Sequence, residues 1–170
     1  MEPKLFIMQE EKKRAAIAKM DSLARIEKEK NKNFRLKAEK LKSGVEIHYI
    51  NKGKGIKPVD GDEIFFYYEG YLAMNGVLFG TNKKEVMINY GRYSEDDENK
   101  GWYDPSKTTY SSSMQLIEGF KEVLTIMNVG DKVYAYIPSD LGYGNRGMGN
   151  GAIPPNSNLE FIIELVDVSN

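Results

Sequence analysis

The 170-residue sequence contains no cysteine, which excludes disulfides, thiol nucleophiles and thiolate metal sites without fixing a compartment. Histidine is nearly missing as well: His48 is the only one, and it lies on a predicted strand, where a structural role is the ordinary one. None of H-E-x-x-H, G-x-S-x-G, C-x-x-C or G-x-x-x-x-G-K-[ST] occurs, so metalloprotease, nucleophile-elbow, dithiol and phosphate-loop chemistry have no candidates. No apolar run approaches the roughly 18–20 residues of a membrane span. The patch Leu5–Met8 is too short for a secretory h-region, so the chain is either cytosolic or exported by a signal outside this sequence. A net charge of −1 gives no whole-chain case for nucleic-acid binding. Carboxylates are plentiful but gather in surface-like stretches, leaving no glycosidase-type pair. Conventional acid–base or nucleophilic catalysis is thus without support, and no cofactor or metal is expected.

What is present divides in two. Residues 1–42 carry 13 Lys and Arg against 7 Asp and Glu, and the remainder carries 11 against 18. The change falls near Ser43-Gly44, which predicts a charged arm over 1–43 and a folded domain over 44–170. Residues 9 to about 42 lack Gly and Pro and favour helix. Ala16, Ile17, Met20, Leu23, Ala24 and Glu27 follow one helical stripe, which resumes at Phe34, Ala38 and Leu41. Two readings stand for this helix: a solvated spacer, or a helix pairing with a second copy of itself to cover its stripe. A nucleic-acid arm is disfavoured because the basic residues alternate with acidic ones.

From Gly44 the pattern becomes β. "GVEIHYINKG" reads as a first strand. "EIFFYYEGYLA" (63–73) reads as a second, with Ile64, Phe66 and Tyr68 on one face and Phe65, Tyr67 and Tyr71 on the other. "MNG" (74–76) signals a hairpin into "VLFG". Residues 81–113 show no period; "SEDDEN" lacks calcium-loop spacing and reads as a solvated surface loop. "QLIEGFKEVLTIMNVGD" (115–131) predicts a short amphipathic helix burying Ile117, Phe120, Val123, Leu124 and Met127 and stopping at Gly130. "DKVYAYIP" and "NLEFIIELVDV" are strands, the latter placing Leu159, Phe161, Ile163 and Leu165 on one face. Antiparallel strands and one short helix, each with an apolar face, bury each other in an α+β arrangement.

Between the last two strands lies "SDLGYGNRGMGNGAIPP", with five glycines and a closing proline pair. Flanking strands make it an ordered crossing, not a linker, and Tyr143 is its one side chain suited to lining a site. Tyr68, Phe66, Phe79, Phe120 and Phe161 occupy inward faces; Phe66 reads as plain core. A buried phenol needs a partner, so Tyr68 and Tyr143 suggest an apolar cup with hydroxyls on its rim.

Three blocks, "GDEIFFYYEGYLAMNGVLF", "LIEGFKEVLTIMNVGDKVYAYIPSDLGYG" and "IPPNSNLEFIIELVDV", resemble the FKBP-type peptidyl-prolyl cis-trans isomerases in order and spacing over about residues 44–168. The resemblance implies an antiparallel sheet wrapped around a short helix, here preceded by a long N-terminal helix. It implies catalysis of X-Pro isomerisation in client proteins, assisting their folding; the alternative is a non-catalytic proline- or client-binding chaperone module. Carried over residue by residue, Tyr68 and Phe79 are pocket walls, Leu116 and Ile117 open the helix, and the Ile117 N–H donates to a ligand carbonyl. Phe120 is the floor, where the family often has Trp. Tyr143 offers its hydroxyl, and Ala152, Ile153 and Phe161 complete the cup, with Ala152 replacing a larger aliphatic. Gly80 stands where the family usually carries Asp. The implied partners are proline-containing polypeptides, a macrolide inhibitor, and a second copy of the chain through the N-terminal helix, as in bacterial relatives with such an arm.

Overall fold

The computed structural model describes residues 3–170. Helix α1 (Pro3–Leu36) leads into β1 (Glu39–Lys40), β2 (Glu46–Asn51), β3 (Glu63–Leu72) and β4 (Leu78–Thr81). Then follow helices α2 (Lys84–Asn89) and α3 (Glu95–Asn99), strand β5 (Ser106–Thr109), helix α4 (Glu118–Ile126), β6 (Lys132–Ile137) and β7 (Leu159–Ser169). All strand pairs are antiparallel, in the order β1-β2-β6-β7-β3-β4 with β5 also on β3. The expected α+β architecture, a sheet around a short helix with a long helix ahead of it, is what forms.

The alternation on β3 sorts its side chains as expected. Ile64, Phe66 and Leu72 enter the main core, with Tyr68 packed against it, while Tyr71 joins a separate cluster on the other face. From β7, Leu159, Phe161, Ile163 and Leu165 are all buried in the main core. Helix α4 lies against this concave face, burying Phe120, Val123 and Leu124. It is shorter than the sequence suggests. Met127 is already extended (φ −93°, ψ 141°) and wholly buried. The Asp131 carboxylate takes the Asn128 N–H at 2.9 Å and the Gly53 N–H at 2.8 Å, turning the chain before Gly130 is reached.

Two expectations are corrected. Residues 81–113, which show no period in the sequence, hold α2, α3 and β5. "SEDDEN" is α3 with its cap: the Ser94 hydroxyl accepts the Asp97 N–H at 3.2 Å, the usual service of a serine at a helix start. These elements bury no helix residue, so no apolar period could announce them. The long helix, in turn, ends at Leu36, not near 42, and its second half is no solvated spacer. Met20 and Leu23 pack on Tyr71, Leu78 and Tyr90, and Phe34 and Ala38 on Tyr134, Tyr136 and Ile162. Lys28 Nζ donates to the Met74 carbonyl at 2.8 Å, and Arg35 forms a bidentate pair with Glu46 while stacking on Tyr136. Much of the stripe that called for a cover finds it on the chain's own sheet.

That cover also overturns the view of the carboxylates as surface groups. Glu69 and Glu160 are buried beneath α1. Lys83 Nζ bridges Glu69 and Glu164 at 3.0 and 3.1 Å, Tyr71 Oη donates to Glu69 at 2.7 Å, and Tyr134 Oη donates to Glu160.

Candidate functional site

Strand β3 has two partners on one edge: β5 pairs Glu63–Phe66 and β4 pairs Glu69–Tyr71. Asn82 fills the break between them. Its Oδ1 accepts the Tyr68 N–H at 2.9 Å, and its Nδ2 donates to the Phe66 carbonyl at 3.0 Å and to Ser106 Oγ at 3.1 Å. A side-chain amide thus replaces a strand's backbone amide, satisfying groups that burial would otherwise leave costly. The opened edge is where a cavity forms.

The cavity, about 1150 Å³, lies between the concave face of the sheet, the start of α4 and the glycine-rich segment. Its apolar base is a set of aromatic edges on faces. Phe161 meets Phe120 at 5.2 Å between centroids with planes at 90°, and Phe79 at 5.5 Å and 85°. Tyr68 meets Phe120 edge-on at 6.3 Å. Such perpendicular pairs favour ring quadrupoles and hold each ring at a fixed tilt. Gly70 makes the arrangement fit: a Cβ there would stand 2.6 Å from Phe79 Cζ and 2.9 Å from Phe161 Cε1.

Helix α4 begins without a side-chain cap; Ile117 is extended there (φ −60°, ψ 149°). Its carbonyl accepts the Lys121 N–H, but its own N–H has no acceptor among the described residues. This is a backbone donor at a helix N-terminus, where partial positive charge collects, in a wall of the cavity.

The glycine-rich segment is ordered, as the sequence suggests. A short 3₁₀ turn at Ser139–Leu141 leads into a tight hairpin, in which Met148 and Ile153 exchange N–H···O bonds of 2.9 and 3.0 Å. Gly147 sits at φ +66°, where a Cβ would fall 2.2 Å from the Ile153 carbonyl oxygen; only glycine allows that approach. The hairpin delivers Ile153, 4% exposed, and Ala152 to the cavity, and Tyr143 to its rim.

All nine residues singled out in the sequence line this one cavity: Tyr68, Phe79, Leu116, Ile117, Phe120, Tyr143, Ala152, Ile153 and Phe161. Sequence reasoning missed Ser106 and Thr108 of β5, and Met114 and Met148, which also line it. β5 carries no apolar alternation, and the methionines sit in loops. Burial raises the Tyr68 phenol above its usual range, with a smaller contribution from nearby Tyr143, and burial likewise raises Tyr143. Both are therefore neutral donors at physiological pH. His48 is elsewhere, stacked 6.0 Å from Phe34 under α1. Among the described residues, no three His, Cys, Asp or Glu side chains gather as a metal site, and no helix is long and apolar enough to cross a membrane.

The sequence model of one family, FKBP-type peptidyl-prolyl cis-trans isomerase, matches residues 54–166. FK506-binding protein 2 of Candida glabrata is 33% identical over 120 residues, covering 71% of this chain and 74% of that protein. The FKBP-type 22 kDa peptidyl-prolyl cis-trans isomerase of Escherichia coli is 32% identical over 126 residues, 74% of this chain but only 50% of that protein. Among solved structures, FkpA from Escherichia coli superposes with a TM-score of 0.58 at 28% identity, over 98% of this chain and 70% of that one. The matched residues include all nine of these cavity-lining positions. The chain belongs to the FKBP-type peptidyl-prolyl cis-trans isomerases, and its activity is the cis-trans isomerisation of X-Pro bonds that assists protein folding.

Proposed function

We propose that nine of the lining residues carry this activity, with Tyr68, Phe79, Ile117, Phe120, Tyr143 and Phe161 acting on the reacting bond and Leu116, Ala152 and Ile153 holding the substrate. An unaided X-Pro bond takes tens to hundreds of seconds to interconvert. Its barrier comes from losing amide resonance as the C–N bond twists. A twisted amide is less charge-separated than a planar one, so an apolar enclosure penalises the planar ground state more. The pyrrolidine ring fits the Phe79–Phe120–Phe161 base. The Ile117 N–H and the Tyr143 hydroxyl in this reading hold flanking carbonyls while the bond rotates, which stabilises the transition state selectively. In this reading residues 44–170 form the catalytic domain, and 1–43 an arm that holds clients or a second copy of the chain. A macrolide of the kind that the relative's name records would occupy the same cup.

The observation that carries the reading is the convergence of all nine residues on one cavity. NMR exchange spectroscopy on a short X-Pro peptide tests it. The native chain should accelerate exchange. Phe161→Leu, which keeps the core filled, should lose at least about tenfold, roughly 1.4 kcal/mol of barrier. Tyr143→Phe should lose several-fold. The native rate should also be flat from pH 6 to 8, because both phenols titrate above that window. A native-like rate in Phe161→Leu would place the chemistry elsewhere.

A further inference from the structure

The charges and donors on the rim of the cavity point to a class of client. Gly80 stands on the rim beside Tyr68. A Cβ built on it would lie 3.7 Å from the Tyr68 ring and 3.8 Å from its hydroxyl, ordinary contact distances, and its φ is not in the left-handed region. A side chain is therefore sterically allowed here, and the glycine leaves the Tyr68 hydroxyl open. Neither that hydroxyl nor the one on Tyr143 has a hydrogen-bond partner among the described residues, although both residues line the cavity. Glu118 is the one carboxylate in the lining. It is paired with Lys121 Nζ at 2.8 Å, and its side chain is 71% exposed. The remaining charged lining residue, Lys107, is a cation. Among the described residues the rim beside Gly80 thus presents an unused neutral phenol, and the cavity no unpaired negative charge.

A phenol donates to a carboxylate in a short, charge-assisted bond of roughly twice the strength of a neutral one. The residue before the proline is bonded to the rotating amide, so its side chain stays within a few ångströms of the ring and meets the rim when the ring fills the base. We propose that the Gly80 rim selects clients with Asp or Glu immediately before the proline, the Tyr68 hydroxyl receiving that carboxylate. This rests on the assignment of the cavity as the isomerase site. The acidic side chain is an orienting handle; no bond to it forms or breaks.

The test compares kcat/KM of the full chain for three peptides identical except for Glu, Gln or Lys before the proline. The expected order is Glu above Gln above Lys. The Glu:Gln ratio should be roughly tenfold, the size of one hydrogen bond to a charged group. Gly80→Asp puts a carboxylate beside Tyr68 and should bring the ratio to one or below; Tyr68→Phe should lower it several-fold. The Glu advantage should also fade as pH is lowered through the peptide's own carboxyl titration near pH 4.3. A native ratio at or below one, or a ratio unmoved by Gly80→Asp, overturns the proposal while leaving the isomerase site in place. Failure to accelerate any of the three peptides overturns both.

Discussion

Glu160 on β7 has an environment that alternation alone cannot reveal. It faces away from the main core, where a strand of this pattern normally meets water, yet α1 covers it and it is only 4% exposed. Burial raises its carboxyl, partly offset by the Tyr134 hydrogen bond and by Arg35 and Lys28; Glu27 on α1 is also raised, again chiefly by burial. A carboxyl whose folded value lies above its unfolded one binds more protons in the folded state, so stability falls as pH rises through that interval. The loss is complete once the folded carboxyl has ionised. Glu160→Gln keeps an acceptor for Tyr134 and removes the titration. Its urea midpoint should match the native chain near pH 4 and exceed it at pH 8. A lower midpoint at pH 8 would show that the ionised carboxylate, held by Tyr134 and Arg35, is net stabilising.

At the scale of elements, legibility followed apolar periodicity. Strands β3 and β7 and helix α4 were read with the correct inward faces, because each contributes alternating or stripe-spaced side chains to one core. α2, α3 and β5 were not, because they contribute almost none, and β5 reaches the cavity through Ser106 and Thr108. α1 was legible as a helix but not as a docked one. Its contact face mixes Met20 and Leu23 with Glu27, Lys28 and Arg35 over a polar sheet surface, so the apolar stripe breaks where the docking is tightest. Asn31 sits in that contact, fully buried, with both amide atoms unpartnered. An unsatisfied buried amide costs about 1–3 kcal/mol. Asn31→Leu, of the same branched shape, should therefore raise unfolding stability by roughly 1 kcal/mol in urea titration. Destabilisation instead would mean that the site has no room for the two methyl groups or that bound water satisfies the amide.

For the whole molecule, the division of charge and the asymmetric fate of α1 belong together. Its second half is committed to the sheet, while its first turns expose Leu5, Phe6, Ile7 and Met8, each about half accessible at 49–55%. Successive residues on a helix point about 100° apart, so these four surround the axis and no single neighbouring face within the chain covers them all. Pairing with the same turns of a second copy would bury those on one side of the axis, as the second reading of the arm requires, and would set two cups on one scaffold. Two clients or two sites on one client would then bind with a raised effective concentration. Sedimentation equilibrium of the full chain decides it. The native protein should sediment as a dimer at about 10 µM, above the dissociation constant of an interface of roughly 8 kcal/mol. Phe6→Glu with Ile7→Glu should be monomeric at the same concentration. A short peptide engages one cup at a time, so its kcat/KM per chain should be equal in the two forms, whereas a long unfolded client with several prolines should be turned over more slowly by the monomer. A native chain that sediments as a monomer would remove the dimer and leave those turns to hold clients directly.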